Sequence, residues 1–188
     1  MTQITRRRIL AAGSAALCAP ALAACGNGIG SAGPQRIEAR VDEATRFMFS
    51  NVPEARPVAE RSTGMLMLPL VTEATIGLGG AYGNGALKVQ GATVDYYSVA
   101  NASFGFQLGA QQYSQALFFM TPAALSDFRA APGWTAGADL KYALKAEGGT
   151  LTTDTTALTT PVIAMVFGQA GLIAGASIDG QKYTRIIP

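Results

Sequence analysis

The spacing of apolar residues predicts two helices at the start of the folded part of the chain. Residues at i, i+4, i+7 and i+11 share one helix face, and this spacing is met by Ile37, Val41, Ala44 and Met48. The helix is predicted from Arg36 to Pro53, whose ring cannot continue a helix interior. A shorter helix is predicted within 54–62. The first helix could cover a sheet or lie in a membrane surface, and its mixed charges favour the sheet.

After Gly64 the period changes from helical to alternating, which is typical of strands. The predicted strands are Met65–Val71, Thr75–Val89, Thr93–Val99, Ser103–Gln111 and Tyr113–Met120. Pro69 favours an edge or a bend in the first of them. Thr121 and Pro122 then have the pattern of a helix start, and Leu125 and Phe128 would dock this third helix on the sheet.

The last part of the chain is predicted to return to the sheet. Strands are predicted at Trp134–Ala143, Val162–Phe167, Leu172–Ile178 and Lys182–Ile186, with a mobile loop over 147–160. Asp179 and Gly180 form a turn pair that joins the last two strands. These elements predict the α+β class, mainly β. The expected architecture is an antiparallel β-barrel core with about three helices packed on its surface.

The predicted strand Thr75–Val89 has one face with almost no side chains. Alternation places on that face the residues Gly77, Gly79, Ala81, Gly83 and Gly85. Such a face permits tight curvature or the close approach of another backbone. The alternative is a surface on which an acyl chain or a flat partner could lie, and curvature of a closed sheet is the favoured interpretation.

The first 24 residues have the pattern of an export signal. Arg6 and Arg7, followed by an apolar run, resemble a twin-arginine signal, and the run is too short to span a bilayer. Leu22-Ala23-Ala24-Cys25 resembles a bacterial lipoprotein cleavage site. The chain is therefore divided into a signal peptide (1–24), a flexible tether (25–35) and a domain (36–188). Lipid attachment is predicted at Cys25.

Composition narrows the classes of function. Without Arg6, Arg7 and Arg8 the chain keeps 11 of its 14 basic residues against 12 acidic ones, which argues against a nucleic-acid partner. The absence of histidine removes the usual general base and the commonest metal ligand. We therefore expect no catalytic residues, no metal and no cofactor, and no enzyme activity. With Cys18 removed and Cys25 acylated, no internal disulfide can form.

Two short stretches only partly match known functional motifs. The stretch from Gly77 to Tyr82 begins like a dinucleotide fingerprint but has tyrosine at the third glycine position. The stretch from Gly175 to Asp179 resembles a nucleophile elbow, but no histidine exists to activate Ser177. Ordinary strands explain both.

From about Glu54 to Ile186 the chain resembles the SYLF domain family, and its bacterial branch in particular. The resembling stretches include 79–87, 102–111, 119–121, Gly133-Trp134, 166–172 and 180–186. The resemblance implies a β-barrel core with packed helices and phospholipid binding without catalytic residues. Because no other domain is recognisable and the chain starts with an export signal, we expect no actin partner.

The expected function is a lipid-anchored envelope protein that binds phospholipid head groups weakly. It would lie at the periplasmic face of the outer membrane if the host has two membranes, because Gly26 rather than Asp follows the cysteine. The basic residues that could contact lipid phosphates, if they converge, are Lys88, Lys141, Lys145, Lys182 and Arg185. The alternative is a structural lipoprotein that holds another envelope protein.

Overall fold

The computed structural model describes residues 31–136, 142–145, 160–171, 178 and 180–188, which contain three helices and six strands. The helices are α1 (Gly33–Asn51), α2 (Ala55–Arg61) and α3 (Pro122–Ala130). The strands are β1 (Gly64–Val89), β2 (Ala92–Phe119), β3 (Trp134–Thr135), β4 (Tyr142–Lys145), β5 (Val162–Gly171) and β6 (Lys182–Ile186). The predicted α+β class with three helices is confirmed.

A single long hairpin forms the centre of the sheet. β1 runs antiparallel to β2 from the Gly64–Phe119 pair to the Val89–Ala92 pair. The other edge of β2 pairs with β6 over 96–100 and with β5 over 111–119. β3 extends the sheet beside β6, and β4 lies parallel to β5, so this one pair departs from the predicted antiparallel pattern. The described part of the sheet curls into a half-barrel.

The two long strands correct the predicted segmentation, which divided the same residues into five strands. The predicted break near Pro69 is a register shift between Leu68 and Val71, and a second shift follows between Ile76 and Leu78. Pairing therefore continues past both irregularities. The turn between the strands was not predicted: Gln90 and Gly91 have φ values of 50° and 82°. Two positive φ values are typical of the tightest hairpin turns.

Both faces of the sheet are buried. One face, here the inner face, carries a cluster that includes Leu117, Phe119 and Val162 and is covered by Leu125 and Phe128 of α3. The opposite face, here the outer face, carries a cluster of Met67, Phe118, Ile163 and their neighbours. The outer face packs against Val41, Ala44 and Met48 of α1 and against Ala55 of α2. The predicted docking of the first and third helices on the sheet is confirmed.

The glycine face of β1 lies on the inner face, where the strand approaches its own beginning. A Cβ added to Gly85 would lie 2.0 Å from the Met67 carbonyl oxygen, and one added to Gly83 would lie 2.6 Å from that of Leu70. No L side chain fits at such distances, so the glycines let the two halves of β1 come into backbone contact. Close approach of another backbone is confirmed. The acyl-chain surface is wrong for Gly83 and Gly85, because both are buried.

The helices α1 and α3 begin in different ways. α1 begins at Gly33, three residues before the predicted Arg36, with Pro34 in its first turn where a missing N–H costs nothing. α3 begins as predicted, with the Thr121 hydroxyl accepting a 3.2 Å hydrogen bond from the Ala124 amide. Among the described residues no helix is long and apolar enough to cross a membrane. The signal peptide, the strand Leu172–Ile178 and the loop 147–160 lie wholly or almost wholly outside the described residues.

Candidate functional site

A cleft at the end of α3 holds two arginines. It has a volume of about 450 Å³, and its lining residues are Thr63, Pro122, Leu125, Ser126, Arg129, Ala130 and Arg185. We call it the arginine cleft. It brings together the start of β1, one side of α3 and the end of β6, which are distant in sequence.

Packing of α3 on the inner face fixes where Arg129 lies. The ring of Phe128 is 4.7 Å from those of Tyr97 and Phe119, and 5.5 Å from that of Trp134, measured between centroids. These contacts set the rotation of the helix, and Arg129 follows Phe128 directly. Arg185 shares the inner side of β6 with the buried Tyr183, because residues two apart in a strand point to the same side.

Asp95 joins the two arginines. Its carboxylate accepts a 2.8 Å hydrogen bond from Nε of Arg129 and lies 3.5 Å from Nε of Arg185. Arg185 also donates to the Arg129 carbonyl oxygen at 2.7 Å, which satisfies a carbonyl in the last turn of α3. The Asp95 side chain is only 13% exposed, whereas those of Arg129 and Arg185 are 43% and 50% exposed. The cations therefore face solvent and the anion lies behind them.

A buried tyrosine adjoins this cluster. Burial raises the pKa of Tyr97, and the neighbouring Arg185 opposes that rise. The Tyr97 hydroxyl in turn raises the pKa of Arg185. The cluster thus combines two guanidinium groups, one carboxylate and one buried hydroxyl.

This arrangement suits an anionic ligand. Guanidinium groups donate paired hydrogen bonds to phosphate or carboxylate oxygens, and half-exposed ones remain open to a ligand from solvent. Ser126 and Thr63 add hydroxyl groups to the lining of the same cleft. Among the described residues no group of three or more His, Cys, Asp or Glu could hold a metal ion.

The basic residues named from the sequence do not form one patch. Lys88 lies toward the outer face, where it pairs with Asp42 of α1. Lys182 is exposed on β6, and its aliphatic chain lies against Gly133. Because Lys182 and Arg185 are three residues apart in one strand, their side chains point to opposite sides of the sheet. Lys141, the Lys145 side chain, Cys25, Arg6 and Arg7 lie outside the described residues, so their roles stay predictions.

Arg129 was missed because no pattern links it to Arg185 across the intervening chain. Its one sequence indication is the spacing from Leu125, since residues four apart lie on the same side of a helix. That spacing predicts that Arg129 lies near the sheet, but it does not predict the contact with Asp95 or Arg185. Only the fold brings Asp95, Arg129 and Arg185 together.

A second cleft lies on the outer face between α1 and the bend of β1. It has a volume of about 300 Å³, and its lining includes Arg40, Phe47, Leu70 and Gly168. We call it the outer cleft. Phe47 is 47% exposed, although its ring stacks on Phe167, and Leu70 is 40% exposed. Two large apolar side chains thus border one opening.

Part of the chain is similar to a known protein family. Residues 100–185 match the family model described as Las17-binding protein actin regulator, Ysc84. This match is consistent with a SYLF-domain protein, and the resemblance found in the sequence is confirmed over this stretch. The matched stretch includes Arg129 and ends at Arg185, whereas Asp95 precedes it. No curated protein matches the chain.

Proposed function

We propose that this protein is an exported lipoprotein, anchored through Cys25, whose SYLF domain contacts anionic phospholipid head groups at the arginine cleft. The proposed role is binding without catalysis. The lipoprotein cleavage pattern in the sequence supports the anchor, and the family match supports a lipid-binding domain. The residue after the cysteine, Gly26, favours the periplasmic face of the outer membrane in a host with two membranes.

The half-exposed guanidinium pair carries the head-group part of this proposal. Asp95 neutralises one charge from behind, so one net positive charge faces the cleft. A surface-bound anionic lipid would meet Arg129 and Arg185 before it met the carboxylate. Each cation near an anionic membrane surface contributes about 1 kcal/mol. The expected affinity of the domain alone is therefore weak, and the acyl anchor would supply most of the membrane attachment.

The anchor is tested by the mass of the protein extracted from its native membrane. We expect an amino-terminal Cys25 that carries acyl chains, and a Cys25→Ser variant that takes up no labelled palmitate. Arg6→Lys with Arg7→Lys should block export if the signal is of the twin-arginine type. A protein that keeps Met1 or a free thiol at Cys25 would contradict the anchor.

The head-group contact is tested with a chain that begins at Gly26 and therefore lacks the acyl group. Sedimentation with vesicles should retain this chain several-fold more strongly when the lipids are anionic than when they are neutral. Arg129→Gln with Arg185→Gln should remove most of the difference, and Arg185→Lys should keep much of it. Lys88→Gln is the matched control, because it removes one cation from the outer face. Equal retention on both lipids would reject the contact.

A second candidate function is a lipoprotein that holds another envelope protein. The outer cleft favours it, because Phe47 and Leu70 are large, apolar and exposed at one opening. Cross-linking in intact cells from a photoreactive residue at Leu70 tests this candidate. One dominant protein product would support it, and lipid products alone would not.

The family description does not lead us to propose an actin partner. The matched family is named for Las17 binding and actin regulation. Export from the cytoplasm would separate this chain from such partners. The proposal therefore keeps only the lipid-binding part of the family's properties.

A further inference from the structure

The first and last described residues of the chain lie together. The Ser31 hydroxyl donates a 3.0 Å hydrogen bond to the Pro188 carbonyl oxygen. A Cβ added to Gly33 would lie 2.7 Å from the Pro188 carbonyl carbon, so the start of α1 also touches the chain end. We call the region of Ser31, Arg36, Ile187 and Pro188 the chain-end corner.

The proposed anchor limits how far this corner can lie from the bilayer. Six peptide units separate Cys25 from Ser31. A fully extended chain spans at most about 3.5 Å per residue, so this segment reaches about 20 Å. If the acyl chains of Cys25 are in the membrane, the chain-end corner lies within that distance of its surface.

The corner has the residue types of an interfacial contact. Ile187 is 73% exposed, the highest value among the exposed large apolar residues that the structure describes. One exposed isoleucine needs no explanation by itself. Here it adjoins Pro188 and follows the half-exposed Arg185 by two residues, and the exposed Arg36 lies about one helical turn after Gly33, which touches Pro188. Apolar residues among cations are typical of segments that lie in an anionic membrane surface.

Two acidic groups, one on α1 and one on β2, are already engaged. The Glu38 carboxylate of α1 accepts a 2.5 Å hydrogen bond from the Tyr96 hydroxyl. Asp95 lies behind Arg129 and Arg185. Three peptide units separate Arg185 from Pro188, so the arginine cleft begins within about 10 Å of the corner. The anchor, the exposed isoleucine and the arginine pair therefore lie at one end of the domain.

We infer that the chain-end corner faces the bilayer, with Ile187 among the lipid head groups and the arginine cleft beside it. This orientation rests on the proposed anchoring at Cys25. It names the binding surface, which neither the sequence nor the family match provides. The middle of the hairpin, around Gly80 and Ala102, then lies farther from the membrane.

The test uses the mature acylated protein reconstituted in vesicles that contain anionic phospholipid. After signal removal and acylation the sequence has no other cysteine, so a single introduced thiol can be labelled selectively. Ile187→Cys and Ala102→Cys would each carry a polarity-sensitive fluorophore. Ala102 is exposed and lies six residues along β2 from Tyr96, the partner of Ile186, which is about 20 Å. Lipids with spin labels near the head group quench a fluorophore that lies in the membrane surface.

The label at residue 187 should shift to shorter emission wavelength, and spin-labelled lipid should quench it at least about threefold more than the label at residue 102. Equal quenching, or stronger quenching at 102, would overturn the orientation alone. A wavelength shift without quenching would mean that a second copy covers Ile187, and this result also overturns it. A mass that shows no acyl group at Cys25 would overturn the anchor and the orientation together.

Discussion

The two faces of the sheet are both buried but are stabilised in different ways. The inner face combines aromatic rings with a chain of buried side-chain hydrogen bonds that runs from Gln115 to Tyr183, Gln181 and Tyr113 at 2.6, 2.8 and 2.9 Å. The outer face is packed mainly with methionine, alanine and branched aliphatic side chains under α1, together with Phe118 and Phe167. The polar residues that converge into a cluster of charges, Asp95, Arg129 and Arg185, lie toward the inner side.

The difference indicates a division of roles. Hydrogen bonds fix side chains in one geometry, whereas flexible apolar residues such as methionine tolerate several arrangements. The inner face can therefore hold the arginine cleft in a defined shape. The outer face needs only enough buried apolar area to keep α1 and α2 in place. Four predictions test this division of roles.

The largest effect is expected where β1 contacts its own backbone on the inner side. Gly85→Ala places a Cβ 2.0 Å from the Met67 carbonyl oxygen, so the curl of the sheet cannot form unchanged. We expect a protein that fails to fold or loses more than about 4 kcal/mol of unfolding free energy, measured by urea denaturation. Gly80→Ala on the opposite side of β1 is the control, with an expected loss of about 1 kcal/mol. Similar losses of unfolding free energy for Gly85→Ala and Gly80→Ala would contradict the backbone contact between the two halves of β1.

Core truncations on the two faces should differ in size. Phe128→Ala removes a ring that contacts those of Tyr97, Phe119, Trp134 and Tyr183, and should cost about 3–5 kcal/mol. Met48→Ala on the outer face should cost less, about 2–3 kcal/mol, because neighbouring side chains can shift into the space. Phe47→Ala, which truncates an exposed ring, should cost about 1 kcal/mol or less. Urea denaturation gives all three values, and a larger loss for Met48→Ala would reverse the comparison.

The tyrosines should make stability fall in alkaline solution. Burial, with a smaller contribution from Glu73, raises the pKa of Tyr113 to about 12, and burial raises the pKa of Tyr183 further. Burial and Glu38 raise the pKa of Tyr96 to about 12. An unfolded tyrosine ionises near pH 10, so between about pH 10 and 12 the folded state holds more protons than the unfolded state. This stabilisation is complete below pH 10 and is lost as the pH rises through the folded pKa.

Tyr113→Phe should flatten part of that decline, because one tyrosine no longer titrates. At pH 8 it should cost about 1 kcal/mol through the lost hydrogen bond from Gln181. Urea denaturation at pH 8, 10 and 11 measures both effects. Tyr82→Phe, at a 58% exposed position, is the control. If the stability of the Tyr113→Phe protein declines as steeply with pH as that of the unsubstituted protein, the raised pKa of Tyr113 is contradicted.

The smallest effects separate the two ion pairs. Asp95→Asn leaves two arginines around a neutral side chain and should cost about 1–2 kcal/mol. Asp42→Asn on the outer face breaks an exposed pair with Lys88 and should cost less than about 1 kcal/mol. Asp95→Asn should also increase retention on anionic vesicles, because the arginine cleft gains one net positive charge. Unchanged retention with an intact fold would argue against the cleft as the head-group site.

Several local features of this protein follow from the sequence alone. The docking face of α1, the start of α3 at Thr121 and Pro122, and the glycine face of β1 each depend on residues close together in the chain. Periodicity and turn chemistry report such features directly. The signal peptide and the acylated cysteine are also predictions from the sequence, and the mass of the mature protein tests both.

The other features depend on contacts between distant parts of the chain. Whether β1 and β2 are two strands or five depends on pairing across the hairpin, which continues past the register shifts near Pro69 and Ile76. The arginine cleft requires β2, α3 and β6 to meet, and the chain-end corner requires Ser31 to bond Pro188 across 157 positions. Contacts between residues far apart in sequence leave no local pattern. The residues proposed to contact lipid are therefore brought together by the curled sheet, and no sequence pattern shows their proximity.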